Sequence, residues 1–137
     1  MRVLIDSSAW IEFLNGSRTQ TADQVTQLLG DEPEICTCGL VVTEVLQGLR
    51  RESGYPSVVE LFADLTFLEA AGLATYIRAA DVYRELRRRG ITVSSTIDCL
   101  IAILAEEHAC EVLARDRDLE TILGSGLLKT SLYSATS

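Results

Sequence analysis

Four carboxylates, Asp6, Glu44, Asp98 and Asp116, stand against apolar runs where a chain usually turns out of its core. Asp6 closes Arg2-Val3-Leu4-Ile5-Asp6, and Asp116 closes Glu111-Val112-Leu113-Ala114-Arg115-Asp116. Glu44 sits within Leu40-Val41-Val42-Thr43-Glu44-Val45-Leu46, and Asp98 within Ser95-Thr96-Ile97-Asp98-Cys99-Leu100-Ile101. A carboxylate beside apolar surface is costly unless it is solvated, paired or bound to a cation. Four such groups brought together would repel one another and call for a divalent ion. Oxygen-rich sites suit magnesium or manganese rather than zinc or copper. Such an ion acidifies water and offsets charge developing on a phosphodiester. A metal-dependent enzyme is therefore the leading expectation.

Each carboxylate also has a structural explanation. Asp6 can cap the helix that follows, although Ser7 and Ser8 offer hydroxyls for the same task. Glu44 can be a glutamate on an amphipathic helix, hemmed by Val41, Val42, Val45 and Leu46. Asp98 follows Ser95 by three residues, a capping box with Asp in place of Glu. Asp116 and Asp118 flank Arg117 before a short helix, with Asp118 expected as its cap. Other chemistries are poorly supplied. The chain has no phosphate-binding or dinucleotide-binding glycine motif, no Gly-x-Ser-x-Gly, and one histidine, His108, expected at a helix C-terminus.

The elements that must position these groups alternate between strand and helix. Strands are expected at 2–6, 34–38, 66–70, 111–115 and 127–132. Helices are expected at 8–14, 22–30, 40–51, 57–64 with Ser57 as N-cap, 73–89 ending at Gly90, 96–108 and 118–123. In the long helix, Tyr76, Ala80, Tyr83 and Leu86 share helical spacing. Alternation of this kind implies an α/β fold with a parallel sheet covered on both faces. Ligands of such sheets gather at the carboxyl ends of the strands, where Asp6 and Asp116 lie; Asp98, in a first helical turn, is expected at the same edge.

With 137 residues, residues 1–137 are expected to form one domain. No apolar run approaches the ~18 residues of a membrane span, and Asp6 arrives before a signal-peptide core could form. The expected location is the cytoplasm, with no membrane partner. Cys36, Cys38, Cys99 and Cys110 lack zinc-ligand spacing and are expected to be reduced and structural. The net charge of −8 opposes nucleic-acid binding at first sight. The charge is uneven, however: residues 1–70 hold 4 basic and 11 acidic groups, and residues 71–137 hold 8 and 9. Arginine supplies 11 of the 12 basic residues, including Arg84, Arg87, Arg88 and Arg89 within six positions. Arginine suits bidentate contact with phosphate or carboxylate, though a solvated helix face would look the same.

Val3-Leu4-Ile5-Asp6-Ser7-Ser8-Ala9-Trp10-Ile11-Glu12, Leu40 to Gly48 around Glu44, Ser95 to Ala102 around Asp98, and Ala114-Arg115-Asp116-Arg117-Asp118-Leu119 together resemble the PIN-domain family. The likeness is nearest to its VapC toxins, the ribonuclease half of prokaryotic VapBC toxin–antitoxin pairs, and runs from Met1 to about Leu128. It implies a PIN-like three-layer α/β/α sandwich with a central parallel sheet. It also implies magnesium- or manganese-dependent endonucleolytic cleavage of structured RNA, such as tRNA or rRNA. Asp6, Glu44, Asp98 and Asp116 would be the catalytic quartet, with Asp6, Asp98 and Asp116 holding metal and Glu44 orienting or deprotonating water. Asp118 matches an additional acidic position, and Ser7 a hydroxyl beside the first aspartate. Leu119 stands where an aromatic is frequent and Arg115 where a small polar residue is common; neither departure removes a ligand. The implied partners are RNA, a VapB-type antitoxin and a second copy of the chain. Arg50, Arg51, Arg84, Arg87 and Arg88 would face RNA phosphates or the antitoxin, and phosphate contacts would make cleavage weaken steeply with salt. Two rivals are a PIN-like module that binds RNA or protein without catalysis and a phospho-receiver signalling domain. The receiver needs an aspartate ending a central strand, which residues 66–70 do not supply.

Overall fold

Val3, Leu4 and Ile5 are wholly buried, as an unbroken apolar run requires when both faces of its strand are covered. They belong to β1 (Arg2–Ile5), the first strand of a computed structural model that describes residues 1–31 and 33–134. Next come α1 (Ser7–Leu14), α2 (Gln20–Asp31), β2 (Glu34–Thr37) and α3 (Gly39–Gln47). They are followed by α4 (Tyr55–Ala63), β3 (Thr66–Phe67), α5 (Leu73–Arg88), α6 (Thr96–Glu107), β4 (Glu111–Leu113) and α7 (Arg117–Gly124). The sheet is entirely parallel in the order β3-β2-β1-β4. Leu4 is opposite both Cys36 and Val112, so β1 is interior. Contacts link α1 to α2 and α3, and α6 to α5 and α7, giving the expected α/β/α layering.

The chain steps outward from β1 to β2 to β3, then returns to the other side of β1 for β4. The direction of winding therefore reverses between β1 and β4. A crevice opens at the carboxyl ends of such a strand pair because successive connections leave in opposite directions. The backbone N–H of Asp6 donates to the Leu113 carbonyl at 2.9 Å, fixing the two strand ends side by side. Under the sheet, Trp10 of α1 meets the Phe62 ring of α4 edge-on at 5.3 Å between centroids, anchoring the helix that begins at Asp6.

Several elements depart from the sequence expectation. No strand forms over 127–132; the chain touches β4 only at a bridge between Leu132 and Val112. Gly126, at φ +81°, turns the backbone there, and the Lys129 N–H is taken by Glu106 rather than by a strand. The strand expected at 66–70 is only two residues long, though Leu68 adds one bond to the Thr37 carbonyl at 2.8 Å. Helix α4 starts before Ser57, with Gly54 at its N-cap position and Pro56 in the first turn, where a missing N–H costs nothing. Helix α3 stops at Gln47, short of residue 51, with Gly48 as C-cap.

Helix α5 is rotated relative to its expected face. Thr75, Ala79, Val82 and Leu86 are inward, while Ala80 is exposed and Tyr76 is 54% exposed. The Thr75 hydroxyl explains the rotation: it accepts from the Ala71 N–H at 2.8 Å and donates to Glu107 at 2.7 Å, pinning that face to α6. The helix ends as expected at Gly90, whose φ of +79° allows Ile91 N–H to reach Leu86 and Gly90 N–H to reach Arg87. His108 is the C-cap of α6, and all four cysteines are free and buried. Among the described residues, no helix is long and apolar enough to cross a membrane.

Candidate metal centre

The local backbone delivers each carboxylate to the β1/β4 crevice for a separate reason. Asp6 ends β1 and is the N-cap of α1, only 3% exposed. Its Oδ2 accepts from the Ser8 N–H at 3.0 Å and the Ser8 hydroxyl at 2.6 Å. The same hydroxyl oxygen accepts from the Arg115 N–H at 2.9 Å. One serine thus ties the turn after β1 to the turn after β4. Asp116 caps α7 through Oδ1, which accepts from Leu119 N–H at 3.0 Å, so the cap is Asp116 and not the expected Asp118.

Asp118, freed from capping, is held by a different loop. Its Oδ2 accepts from the Ser94 N–H at 2.8 Å and from the Ser94 hydroxyl. These bonds hold its carboxyl below the usual range. Asp98 enters from the first turn of α6, which Ser95 caps through a bond from Ile97 N–H at 3.1 Å. The capping box is only half formed, because among the described residues Asp98 makes no return bond to the backbone.

Asp98, Asp116 and Asp118 each present a ligand oxygen within 4.8 Å of the others. The expected ligand set was Asp6, Asp98 and Asp116, with Asp118 as an extra. Asp118 joins Asp98 and Asp116 in this group, and Asp6 lies close enough for its charge to act on both Asp98 and Glu44. Glu44 projects from α3 toward the same cluster, its Oε1 accepting from the Ser7 hydroxyl at 3.4 Å. Burial and then the charge of Asp6 raise the Glu44 carboxyl, while Ser7 opposes them. Burial also raises Asp6, against the pull of the Ser8 bonds, and Asp116 adds to the rise. Asp98 is pushed up to about 7, first by burial and then by Asp116, Asp6, Asp118 and Glu44.

These shifts share one electrostatic origin. Two unit charges about 5 Å apart repel by about 3 kcal/mol at an effective dielectric of about 20. That exceeds what a surface ion pair returns, so the cluster is unfavourable without a counter-cation. Local cations do not fill the need. Arg115 is drawn away to Glu12 at 2.8 Å, and Arg117 acts on Asp118 without making an ion pair among the described residues. Sulfur donors are unsuited as well. The Cys99 thiol is pushed up to about 11, by burial and then by Asp98 and Asp118, and burial raises Cys38. Neutral thiols beside carboxylate oxygens fit a hard divalent cation.

Ser8 and Ser94 were not foreseen from sequence. Ser8 carried a signal, since a hydroxyl two residues after an N-cap aspartate can bond that carboxylate. Ser94 carried none, lying 24 residues from Asp118 in the chain.

The PIN domain model matches residues 3–122, which contain all five acids. The chain belongs to the PIN-domain family. The ribonuclease VapC11 of Mycobacterium tuberculosis is 35% identical over 121 residues, covering 88% of this chain and 90% of VapC11. The VapC ribonuclease Mb1587 of Mycobacterium bovis matches with the same figures. Among solved structures, a toxin–antitoxin complex from Klebsiella pneumoniae superposes with a TM-score of 0.68 at 18% identity, covering 89% of this chain and 93% of the other. At that identity the likeness establishes the shared fold and nothing finer.

Proposed function

We propose that residues 1–137 form a single nuclease domain, a divalent-metal-dependent endoribonuclease acting as the toxin of a type II toxin–antitoxin pair in the cytoplasm. The observation that carries this is the Asp98–Asp116–Asp118 group at the β1/β4 crevice, with Glu44 beside it, in a PIN domain whose 35%-identical relatives are ribonucleases by name.

Asp6, Asp98 and Asp116 would hold Mg2+ or Mn2+, with Asp118, which groups with Asp98 and Asp116, as an additional ligand. A cation bound there supplies positive charge against phosphodiester oxygens and acidifies water. Glu44 would take the proton as a water oxygen attacks phosphorus and the bond to the leaving ribose oxygen breaks, that oxygen taking a proton from solvent. Its raised carboxyl suits the task, because a base works best with a pKa nearer the working pH. Ser7 and Ser8 fix Glu44 and Asp6, so neither has to reorient during the reaction. The substrate is structured RNA, tRNA or rRNA. The net charge of −8 and the acidic crevice favour a basic inhibitor, and an arginine-bearing antitoxin tail would pair with these carboxylates. A homodimer completes the proposed assembly.

The test is cleavage of a panel of tRNA and ribosomal RNA fragments by the purified protein. Cleavage is expected with Mg2+ or Mn2+, is absent in EDTA, and is lost in an Asp6→Asn variant. Equal cleavage across those conditions would sink the nuclease assignment.

A further inference from the structure

Helix α5 has an outward stripe that the acidic site does not explain. With Thr75, Ala79, Val82 and Leu86 buried, the opposite face carries Leu73, Tyr76, Ile77 and Ala80 in its first half and Arg84, Arg87 and Arg88 in its second. These three side chains border an open cleft of about 310 Å³. Among the described residues, Arg84 and Arg87 make no ion pair. Glu85 is shared by Arg88 at 3.3 Å and Arg89 at 3.5 Å, and Arg89 also donates to the Ser125 carbonyl at 3.3 Å.

A helix macrodipole accounts for part of this pattern. Cations in a last turn gain roughly 0.3–1 kcal/mol, which covers Arg87 and Arg88. It does not cover Arg84, a full turn earlier, nor the use of arginine at every position where lysine would serve the dipole equally. Guanidinium groups on successive turns provide repeated bidentate donors for phosphate oxygens.

The arginines also stand close to the loop that holds Asp118. Arg88 precedes Ser94 by six residues, and Ser94 holds Asp118 through its own N–H. Chain reach keeps Arg88 within roughly 20 Å of Ser94, and Ala80, one turn before Arg84, lines a small cleft with Thr96, in the first turn of the helix that carries Asp98. An RNA strand approaching that edge meets five carboxylates on a chain of net charge −8 and is repelled. Productive binding requires positive charge beside the acids, and α5 concentrates it there. Arg50 and Arg51 instead line a cleft with Leu14, Asn15 and Gly16, at the end of α1 opposite its N-cap Asp6.

We propose that Arg84, Arg87 and Arg88 form the phosphate-binding surface that guides RNA to the acidic crevice. This rests on the nuclease assignment and specifies how that site holds its substrate. The contacts are to backbone phosphates, so they contribute affinity and orientation without reading sequence.

The test is binding of a labelled tRNA transcript by fluorescence anisotropy, in EDTA so that no cleavage intervenes, across 50–200 mM KCl. Wild type is compared with a triple variant, Arg84→Gln, Arg87→Gln and Arg88→Gln, and with the corresponding triple Arg→Lys variant, which keeps the charge and guards against a folding artefact. Each lost phosphate contact lowers the slope of log K against log salt by about 0.7–0.9, so the glutamine variant should lose about 2 from its slope. Its affinity at 50 mM KCl should fall at least tenfold, and the lysine variant should keep most of the slope. With Mg2+, KM for RNA should rise while kcat at saturating RNA stays near wild type. An unchanged slope and affinity in an enzyme that still cleaves RNA would overturn the arginine assignment while leaving the nuclease intact. Loss of binding to a co-purified protein partner, with RNA binding unchanged, would overturn it equally. Failure of the wild type to cleave any RNA would count against the nuclease assignment instead.

Discussion

Replacing Asp98 by asparagine is expected to stabilise the metal-free protein at pH 8 while abolishing cleavage. The Asp98 carboxyl stands near 7 in the folded chain against an ordinary 3.8, so the folded state holds a proton that the unfolded state releases. For a group raised in this way, its contribution to stability is fully present below the unfolded value and disappears as pH rises through the folded one. Metal-free wild type should therefore lose stability between about pH 4 and pH 7, and remain at the lower level above that. A shift of this size is about 4 kcal/mol if taken whole, and partial exposure of Asp98 to solvent reduces the expected cost to about 2 kcal/mol. For a chain of this length that is roughly 5–10 °C in Tm.

The asparagine variant removes the charge and should show a much flatter profile from pH 5 to pH 8. Manganese should reverse the ranking, because only the wild type gains the binding energy, about 2.7 kcal/mol at a hundredfold excess over Kd. Thermal unfolding of both proteins at several pH values, with EDTA and with Mn2+, reads all of this. Parallel pH profiles for the two proteins would show that Asp98 is not the strained group.

Glu44→Gln is expected to separate chemistry from metal binding. Glu44 lies outside the oxygen group formed by Asp98, Asp116 and Asp118, and its Oε1 is engaged by Ser7. Removing a positioned general base costs about 10²–10⁴ in rate. Single-turnover cleavage at saturating RNA should fall by that factor, while Mn2+ affinity and RNA affinity stay within about twofold of wild type. Asp116→Asn should differ in kind, losing metal affinity and rate together. If Glu44→Gln lost Mn2+ binding as severely as Asp116→Asn, Glu44 would be a ligand and the assignment of the base would fail.

The convergence of Asp6 and Asp116 was legible because strand-end carboxylates in a parallel sheet have only one edge to occupy. The alternation of elements and the burial of Val3, Leu4 and Ile5 followed from the same pattern. What stayed hidden depends on contacts between distant segments. Asp118 looked like the cap of α7 because it sits in an acidic first turn. Only the bond from Leu119 to Asp116 shows that Asp118 is free, and only Ser94 shows where it is held. The face of α5 was misassigned because tyrosine at helical spacing looks like core, whereas a buried Thr75 is bonded to α6. The strand expected over 127–132 had the right apolar residues but meets β4 at one position, since Gly126 bends the chain and Glu106 takes the Lys129 N–H.

The assignment rests finally on whether the acidic crevice holds a divalent cation. Electron paramagnetic resonance of Mn2+ titrated into the wild type and into an Asp98→Asn/Asp116→Asn double variant measures this without RNA or turnover. Saturable binding by the wild type, weakened at least tenfold in the variant and displaced by excess Mg2+, is the predicted result. Equal Mn2+ affinity in both proteins, or no saturable binding by the wild type, would contradict a metal centre at the β1/β4 crevice.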